Sequence, residues 1–292
     1  MYPSLNPGAN MPGETGIMTV CPLASGSKGN AYWIDTGDTA ILVDAGISLR
    51  QLTRRTAEIE RRLEQVEHVF ITHEHADHIK GLQVFFKRFR PTLWASRGTL
   101  RRLRPVIPEG LNVRMLNGHV EEASGFRVEA VKVSHDADDP LAYRFECGDR
   151  SVAVITDLGD WGEREARLAS GADVFICEAN HDIHMLQSGP YPAFLKARVR
   201  SPRGHLSNLQ GANLSLTAVQ RGTKHIVLSH LSEQNNSPSL ALDVFMQALE
   251  RHSANVVLEA AAQHTLGPYI QLPFKPGTIR DKQTVHSWKG DV

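Results

Sequence analysis

Three imidazoles and the carboxylate of Asp77 fall within six residues, His73-Glu74-His75-Ala76-Asp77-His78, directly after Val69-Phe70-Ile71-Thr72. Imidazole and carboxylate without thiolate form a donor set for a hydrolytic divalent cation such as Zn2+ or Mn2+. Ligands bunched at a strand end can divide between two ions: His73 and His75, alternating, face one, while Asp77 and His78 turn toward a neighbour. A polar turn with solvated histidines is the plainer reading of a lone His. It does not account for four ligand-type residues at this spacing.

Two ions need further ligands, which strand ends should supply. His135 follows Val131-Lys132-Val133-Ser134, Asp157 follows Ala153-Val154-Ile155-Thr156, and His230 follows Ile226-Val227-Leu228-Ser229. Each stands just past an apolar run, which points all three toward one edge of the sheets. A carboxylate such as Asp157 can bridge two cations at the ~3.5–4 Å spacing of two-metal hydrolases. The segment Ser25-Gly26-Ser27-Lys28-Gly29-Asn30 is a candidate substrate cradle, offering backbone N–H groups and the Lys28 ammonium to a phosphate. A glycine-rich turn joining two strands is the equal alternative. The segment lacks the Gly-Lys-Ser/Thr order of a triphosphate-binding loop, so ATP is not implied.

The apolar runs that would carry these residues recur at 18–23, 31–34, 40–43, 66–71, 128–133, 143–145, 152–155, 174–177, 226–228 and 256–258. Most are β-branched and bounded by Gly, Asp or Asn, as buried strands are. Helical spacing is predicted over 47–63, from the capping pair Ser207-Asn208 to just before Gly222, and after Ser237-Pro238. Together these predict an α/β fold of two packed sheets covered by helices.

The chain has 292 residues, with 32 basic and 32 acidic side chains. Cys21, Cys147 and Cys177 are scattered and match no metal or disulfide spacing. No apolar run approaches the ~18 residues of a membrane span, and no charged-then-apolar leader opens the chain. A soluble, cytoplasmic protein with no membrane partner is expected. Zero net charge predicts no polyanion partner, but the charge distribution says more. Residues 78–108 contain no Asp or Glu yet hold Lys80, Lys87, Arg88, Arg90, Arg97, Arg101, Arg102 and Arg104. Residues 183–232, equally free of acids, hold Lys196, Arg198, Arg200, Arg203, Arg221 and Lys224. Solvated helix faces explain such runs, and so does a basic rim for a phosphate backbone.

The series His73-x-His75-x-Asp77-His78, His135, Asp157 and His230 resembles the metal motifs of the metallo-β-lactamase superfamily. Asp44, in Leu42-Val43-Asp44-Ala45-Gly46, matches the aspartate that family places behind the metal loop. The resemblance implies a four-layer αββα sandwich over residues 17–270, with 1–16 a loose N-terminal extension and 271–292 a C-terminal tail. It implies one ion on His73, His75 and His135 and another on Asp77, His78 and His230. Asp157 would bridge them, and Asp44 would orient a ligand histidine or the loop backbone without touching metal.

Further blocks narrow the resemblance. Cys177-Glu178-Ala179-Asn180-His181 resembles the His-Glu-Ala-Thr element of ribonuclease Z-like nucleases, and Arg203-Gly204-His205-Leu206-Ser207 the histidine element that accompanies it. Leu23-Ala24-Ser25-Gly26-Ser27-Lys28-Gly29-Asn30 and His230-Leu231-Ser232-Glu233-Gln234-Asn235-Asn236 resemble the YycJ/WalJ group of bacterial proteins, for which 5′-to-3′ DNA exonuclease activity is implied. Cys177 and Asn180 depart from His-Glu-Ala-Thr but fit the narrower group. Only twenty residues lie between Asp157 and Glu178, too few for the inserted clamp of ribonuclease J-like enzymes.

What the resemblance implies is a phosphodiesterase using two Zn2+ or Mn2+ ions. A hydroxide shared by the ions would attack phosphorus in line. Asp77, Glu178 and His205 are the candidate catalytic residues, His205 protonating the departing 3′ oxygen while Glu178 polarises it. The substrate would be nucleic acid, DNA before RNA. The alternative keeps the metal centre but gives it a small ester, lactone, thioester or cyclic phosphodiester. A non-catalytic metal protein is disfavoured by the complete ligand series. β-Lactam hydrolysis is disfavoured because a fold does not fix a substrate. His181, His184 and His225 fall on no metal position and read as structural or rim residues.

Overall fold

Side chains alternate between the two faces of a strand, so a strand buried on both faces must be apolar throughout. The computed structural model describes residues 16–37, 39–118, 120–250 and 256–275, and most of its strands are of this kind. One sheet comprises β1 (Ile17–Ala24), β2 (Ala31–Asp35), β3 (Ala40–Val43), β4 (Val66–Phe70), β5 (Thr92–Ser96) and β6 (Val113–Leu116). The other comprises β7 (Glu121–Ala123), β8 (Phe126–Lys132), β9 (Leu141–Cys147), β10 (Arg150–Ile155), β11 (Val174–Glu178), β12 (His225–Ser229) and β13 (Val257–Ala260). The last strand, β14 (Ile270–Pro273), returns to the first sheet and pairs antiparallel with β1. Strand orders are β14-β1-β2-β3-β4-β5-β6 and β13-β12-β11-β10-β9-β8-β7.

Three separate cores follow from the alternation. Ile41 and Val43 of β3 meet Val152 and Val154 of β10 between the sheets. Ala40 and Leu42 face the other way, toward α1 (Leu49–Glu58), α3 (Leu82–Arg88) and α4 (Arg97–Leu103), whose Leu52, Phe85, Phe86 and Leu103 complete the outer core. Short α2 (Ala76–Ile79) precedes α3. On the far side, Ala153 and Ile155 meet α5 (Glu163–Ala169), α8 (Asn208–Gln220) and α9 (Pro238–Leu249). Between β11 and α8 the chain inserts α6 (Ile183–Ser188) and α7 (Ala193–Val199). The result is the expected four layers, helix–sheet–sheet–helix.

All the predicted apolar runs are strands, and Ser207 and Ser237 cap their helices as expected. The helix predicted over 47–63 is shorter. Ser48 caps its start, and it stops at Glu58 because Glu60 takes a left-handed φ of 57°. Strands β5, β6, β7 and β14 are not among the predicted runs. In β6, Val113, Arg114 and Met115 are exposed, so no continuous apolar run marks it. Residues 271–273, expected in the tail, belong to the sheet, and Phe274 is buried behind them. The expectations for 1–15 and 276–292 lie outside the described residues. Among the described residues, no helix is long and apolar enough to cross a membrane.

Candidate metal centre and active site

Strands β3, β4, β5 and β6 run parallel, as do β10, β11, β12 and β13, and their carboxyl ends form one edge of the sandwich. That edge is where open α/β sheets place ligands. Asp44 follows β3, the His73–His78 loop follows β4, and Asp157 and His230 follow β10 and β12; Glu178 ends β11. Antiparallel pairing through β9 brings the end of β8, and so His135, to the same edge. Asp44, Asp157 and His230 have φ of 59°, 58° and 57°. Asp and His tolerate this left-handed geometry better than most residues, though it costs on the order of 1–3 kcal/mol each. The step breaks strand alternation where a side chain must leave the sheet.

The metal loop is held by close backbone contact. Ala45 N–H donates to the His78 carbonyl, and Gly81 N–H donates to the Ala45 carbonyl. A Cβ on Gly46 would lie 1.6 Å from the Asp77 carbonyl oxygen, so only glycine permits this approach.

Two groups of donor atoms result. His73 Nε2 lies 3.0 Å from His75 Nδ1, which lies 3.3 Å from His135 Nε2. In the second group, Asp77 Oδ2 is 3.5 Å from His78 Nε2 and 3.4 Å from His230 Nε2. Asp157 lies between, with Oδ2 3.3 Å from His78 Nε2 and Oδ1 4.0 Å from His135 Nε2. Within each of the sets His73/His75/His135, Asp77/His78/His230 and His73/His78/Asp157, one donor atom per residue lies within 4.8 Å of the others.

Surrounding residues fix which ring nitrogen faces inward, as partners behind metal-binding histidines do. Asp44 Oδ2 accepts from His78 Nδ1 at 2.7 Å and from the Thr72 hydroxyl, while Oδ1 accepts the Thr72 N–H. Asp44 therefore holds both a candidate ligand and the loop backbone. Thr72 Oγ1 is 3.1 Å from His73 Nδ1, and His135 Nδ1 donates to the Gly204 carbonyl at 3.0 Å. Glu178 is fully buried. Its Oε1 accepts from His205 Nδ1 at 2.8 Å and His230 Nδ1 at 3.0 Å, and its Oε2 from the N–H groups of Leu158 and Leu206.

The donor set fits divalent cations. Asp44, Asp157 and Glu178 are buried carboxylates, which require compensating positive charge. Asp157 Oδ2 is buried without a hydrogen-bond partner among the described residues. The carboxylates also act on the histidines. Burial depresses His230, but the Asp157 charge and the hydrogen bonds of His230 to Asp77 and Glu178 outweigh it and push the imidazole up to about 10. Burial and the neighbouring imidazoles hold His73 well below its ordinary range. Burial alone would raise Glu178, yet the His205 charge and the His205 and His230 hydrogen bonds bring it below the usual carboxylate range.

The sequence-predicted ligands thus come together, and His205 with Glu178 sits beside them. The structure divides the residues of the expected cradle at 25–30. Ser25 is buried, and its hydroxyl accepts the His230 N–H at 2.7 Å. Asn30 is buried too, bonded to both backbone groups of Gly26 and 3.1 Å from His78 Nε2. Both brace the centre. Lys28 is exposed but paired with Glu233 at 2.5 Å. Ser27 lines the cavity beside His205. Glu178 also does more than polarise His205, since it fixes His230 as well. The basic stretches are partly neutralised: Arg101 and Arg102 bind Asp138, and Arg198 binds Asp136. Asp136 was not anticipated, although it directly follows His135; its Oδ1 lies 3.4 Å from His135 Nε2 and 3.8 Å from His75 Nε2. Of His181, His184 and His225, the first is buried and the last binds Glu259.

The model of the beta-lactamase superfamily domain matches residues 39–230. The chain is 39% identical over 225 residues to the exodeoxyribonuclease WalJ of Streptococcus pneumoniae, covering 75% of this chain and 83% of that protein. It is 36% identical over 256 residues to the exodeoxyribonuclease YycJ of Bacillus anthracis, covering 87% and 96%. The crystal structure of the metallo-beta-lactamase fold protein YhfI from Bacillus subtilis superposes with a TM-score of 0.68 at 16% identity, over 88% of this chain and 99% of that one. The chain belongs to the metallo-β-lactamase superfamily. Within it, the chain groups with WalJ and YycJ.

Proposed function

We propose that this chain is a two-metal phosphodiesterase that removes nucleotides from the 5′ end of DNA. Its similarity to two exodeoxyribonucleases over most of its length supports a nuclease. The observation that carries the chemistry is Asp157 between two convergent donor groups, with half-buried His205 at their flank. When bound, two divalent cations such as Zn2+ or Mn2+ supply Lewis acidity that activates water and offsets charge on a phosphoryl group. His73, His75 and His135 would hold one, Asp77, His78 and His230 the other, and Asp157 both.

The rest of the work falls to this chain's residues. Glu178 accepts the hydrogen bond from His205 Nδ1–H and leaves Nε2 for the substrate. Water oxygen bonds to phosphorus and gives up a proton to solvent, the P–O3′ bond breaks, and the 3′ oxygen takes its proton from His205 Nε2–H, which solvent then restores, a transfer worth ~10²–10⁴-fold. The released nucleotide keeps its 3′ hydroxyl, and the shortened strand begins with a 5′ phosphate. Glu178 is a positioning residue, acting through His205 and His230.

The test is a panel of 5′-labelled DNA, RNA, a lactone and a generic phosphodiester, each assayed with Zn2+ and with Mn2+. Mononucleotide release from DNA, abolished by blocking the 5′ end, is expected. Turnover of the lactone alone, or indifference to which end is blocked, would overturn the reading.

A further inference from the structure

A cavity of about 150 Å³ opens beside His205, walled by Ser27, Asn180, Tyr191, Leu195 and Arg198. It is roughly half the ~300 Å³ at which pockets begin to enclose whole small ligands. One nucleobase with part of its sugar fits that scale, and a base pair does not. Tyr191 and Leu195 supply an aromatic and an aliphatic wall, while Ser27 and Asn180 supply polar edges. Tyr191, Leu195 and Arg198 belong to the α6–α7 insertion, in the acid-free stretch 183–232. Phe194, one residue before Leu195, is 75% exposed, so the insertion presents a second aromatic ring to solvent. Aromatic rings among cationic side chains are the means by which proteins bind single strands.

The cavity is in register with the chemistry. Arg198 Nε donates to Asp136 Oδ2 at 2.5 Å, and Asp136 Oδ1 turns toward His135 and His75. The arginine is therefore held on Asp136, whose other oxygen lies 3.4 Å from His135 Nε2, and its side chain remains 57% exposed. Asp136, the one carboxylate in the cavity wall, is engaged by it. In the reaction written above, the 3′ oxygen leaves toward His205, and the group that bears this oxygen is the terminal nucleoside. The cavity lies where that nucleoside must go.

We propose that this cavity seats the 5′-terminal nucleoside of a single-stranded DNA end, with Tyr191 as its stacking face and Arg198 facing the adjoining phosphate. The inference rests on the nuclease reading and deepens it. The enzyme takes one unpaired nucleotide per cycle, and a blunt duplex must fray before it is cut.

The test uses the full chain, loaded with Mn2+, and an oligonucleotide carrying 2-aminopurine at its 5′ terminus and a phosphorothioate at the first linkage. Wild type and Tyr191→Phe are expected to quench the fluorophore by stacking, and Tyr191→Ala to leave it bright. On natural single strands, Tyr191→Ala should raise KM about 5- to 150-fold, the range for losing one base stack, with a smaller change in kcat. Leu195→Trp, which fills the cavity instead of emptying it, should raise KM as well. Equal quenching and KM in wild type, Tyr191→Ala and Leu195→Trp, or blunt duplex cut as fast as single strand, would overturn the inference while DNA is still degraded. If wild type degrades no DNA but hydrolyses a generic phosphodiester, the nuclease reading itself fails.

Discussion

Replacing Glu178 by Gln changes one oxygen to an amino group where four donors converge. Leu158 and Leu206 present backbone N–H groups, and His205 and His230 present Nδ1. The backbone donors cannot invert, so the remaining amide oxygen must face them. The amino group then faces two imidazole N–H groups. Leaving both unpaired in a fully buried site would cost ~1–3 kcal/mol each. An imidazole avoids this by moving its proton to Nε2, and in His230 that nitrogen faces Asp77. The candidate ligand is thereby blocked. Partners behind metal ligands are typically worth about 10- to 100-fold in affinity, or ~1.4–2.8 kcal/mol. We expect Glu178→Gln to fold, to weaken one of two metal sites by that factor, and to move the His230 proton from Nδ1 to Nε2. Competition against a chromophoric chelator reads the first, and ring-nitrogen NMR shifts the second. Two sites of wild-type affinity with His230 still protonated on Nδ1 would refute the role given to this carboxylate.

Four further outcomes are expected. Asp157→Asn should keep the fold, since Asn tolerates the φ of 58° there, but lose bound metal together with turnover; retained metal by elemental analysis would contradict the bridge. His205→Ala should keep its metal while DNA hydrolysis falls ~10²–10⁴-fold. Gly46→Ala should destabilise at or above the ~1–3 kcal/mol typical of overpacking, because the obstacle is the Asp77 carbonyl and not a movable side chain; thermal melting measures this. Burial lowers His181 from 6.5 to about 4, so the unfolded chain binds the extra proton between those values. Stability should therefore fall as pH drops from 6.5 toward 4, by at most about 3.5 kcal/mol at ~1.4 kcal/mol per pH unit. His181→Phe should flatten that limb in denaturant titrations.

The candidate ligand series was legible in sequence because its members stand just past apolar runs, and a strand end in such a sandwich has a predictable location. Asp44 was legible only by resemblance, since a single Asp after Leu42-Val43 is common. The orientation of 25–30 was not legible. Whether Ser25 faces solvent or the His230 N–H depends on β12, some two hundred residues away, which no local pattern encodes. The same holds for Glu178, whose hydrogen bond to His230 spans distant segments. Strands β6 and β7 escaped notice because edge strands bury little, so polar residues such as Arg114, Glu121 and Glu122 interrupt their pattern. The α6–α7 insertion was visible only as a cluster of cations, because a cavity wall has no periodicity of its own.

Asp44, Asp157 and His230 all occupy backbone wells that glycine would enter more readily. Asp157 alone of the three has a buried oxygen with no hydrogen-bond partner among the described residues, so an engineer screening this scaffold for heat tolerance alone should recover asparagine at position 157 among the hardier clones. Those clones would be inert, so durability and turnover must be selected together.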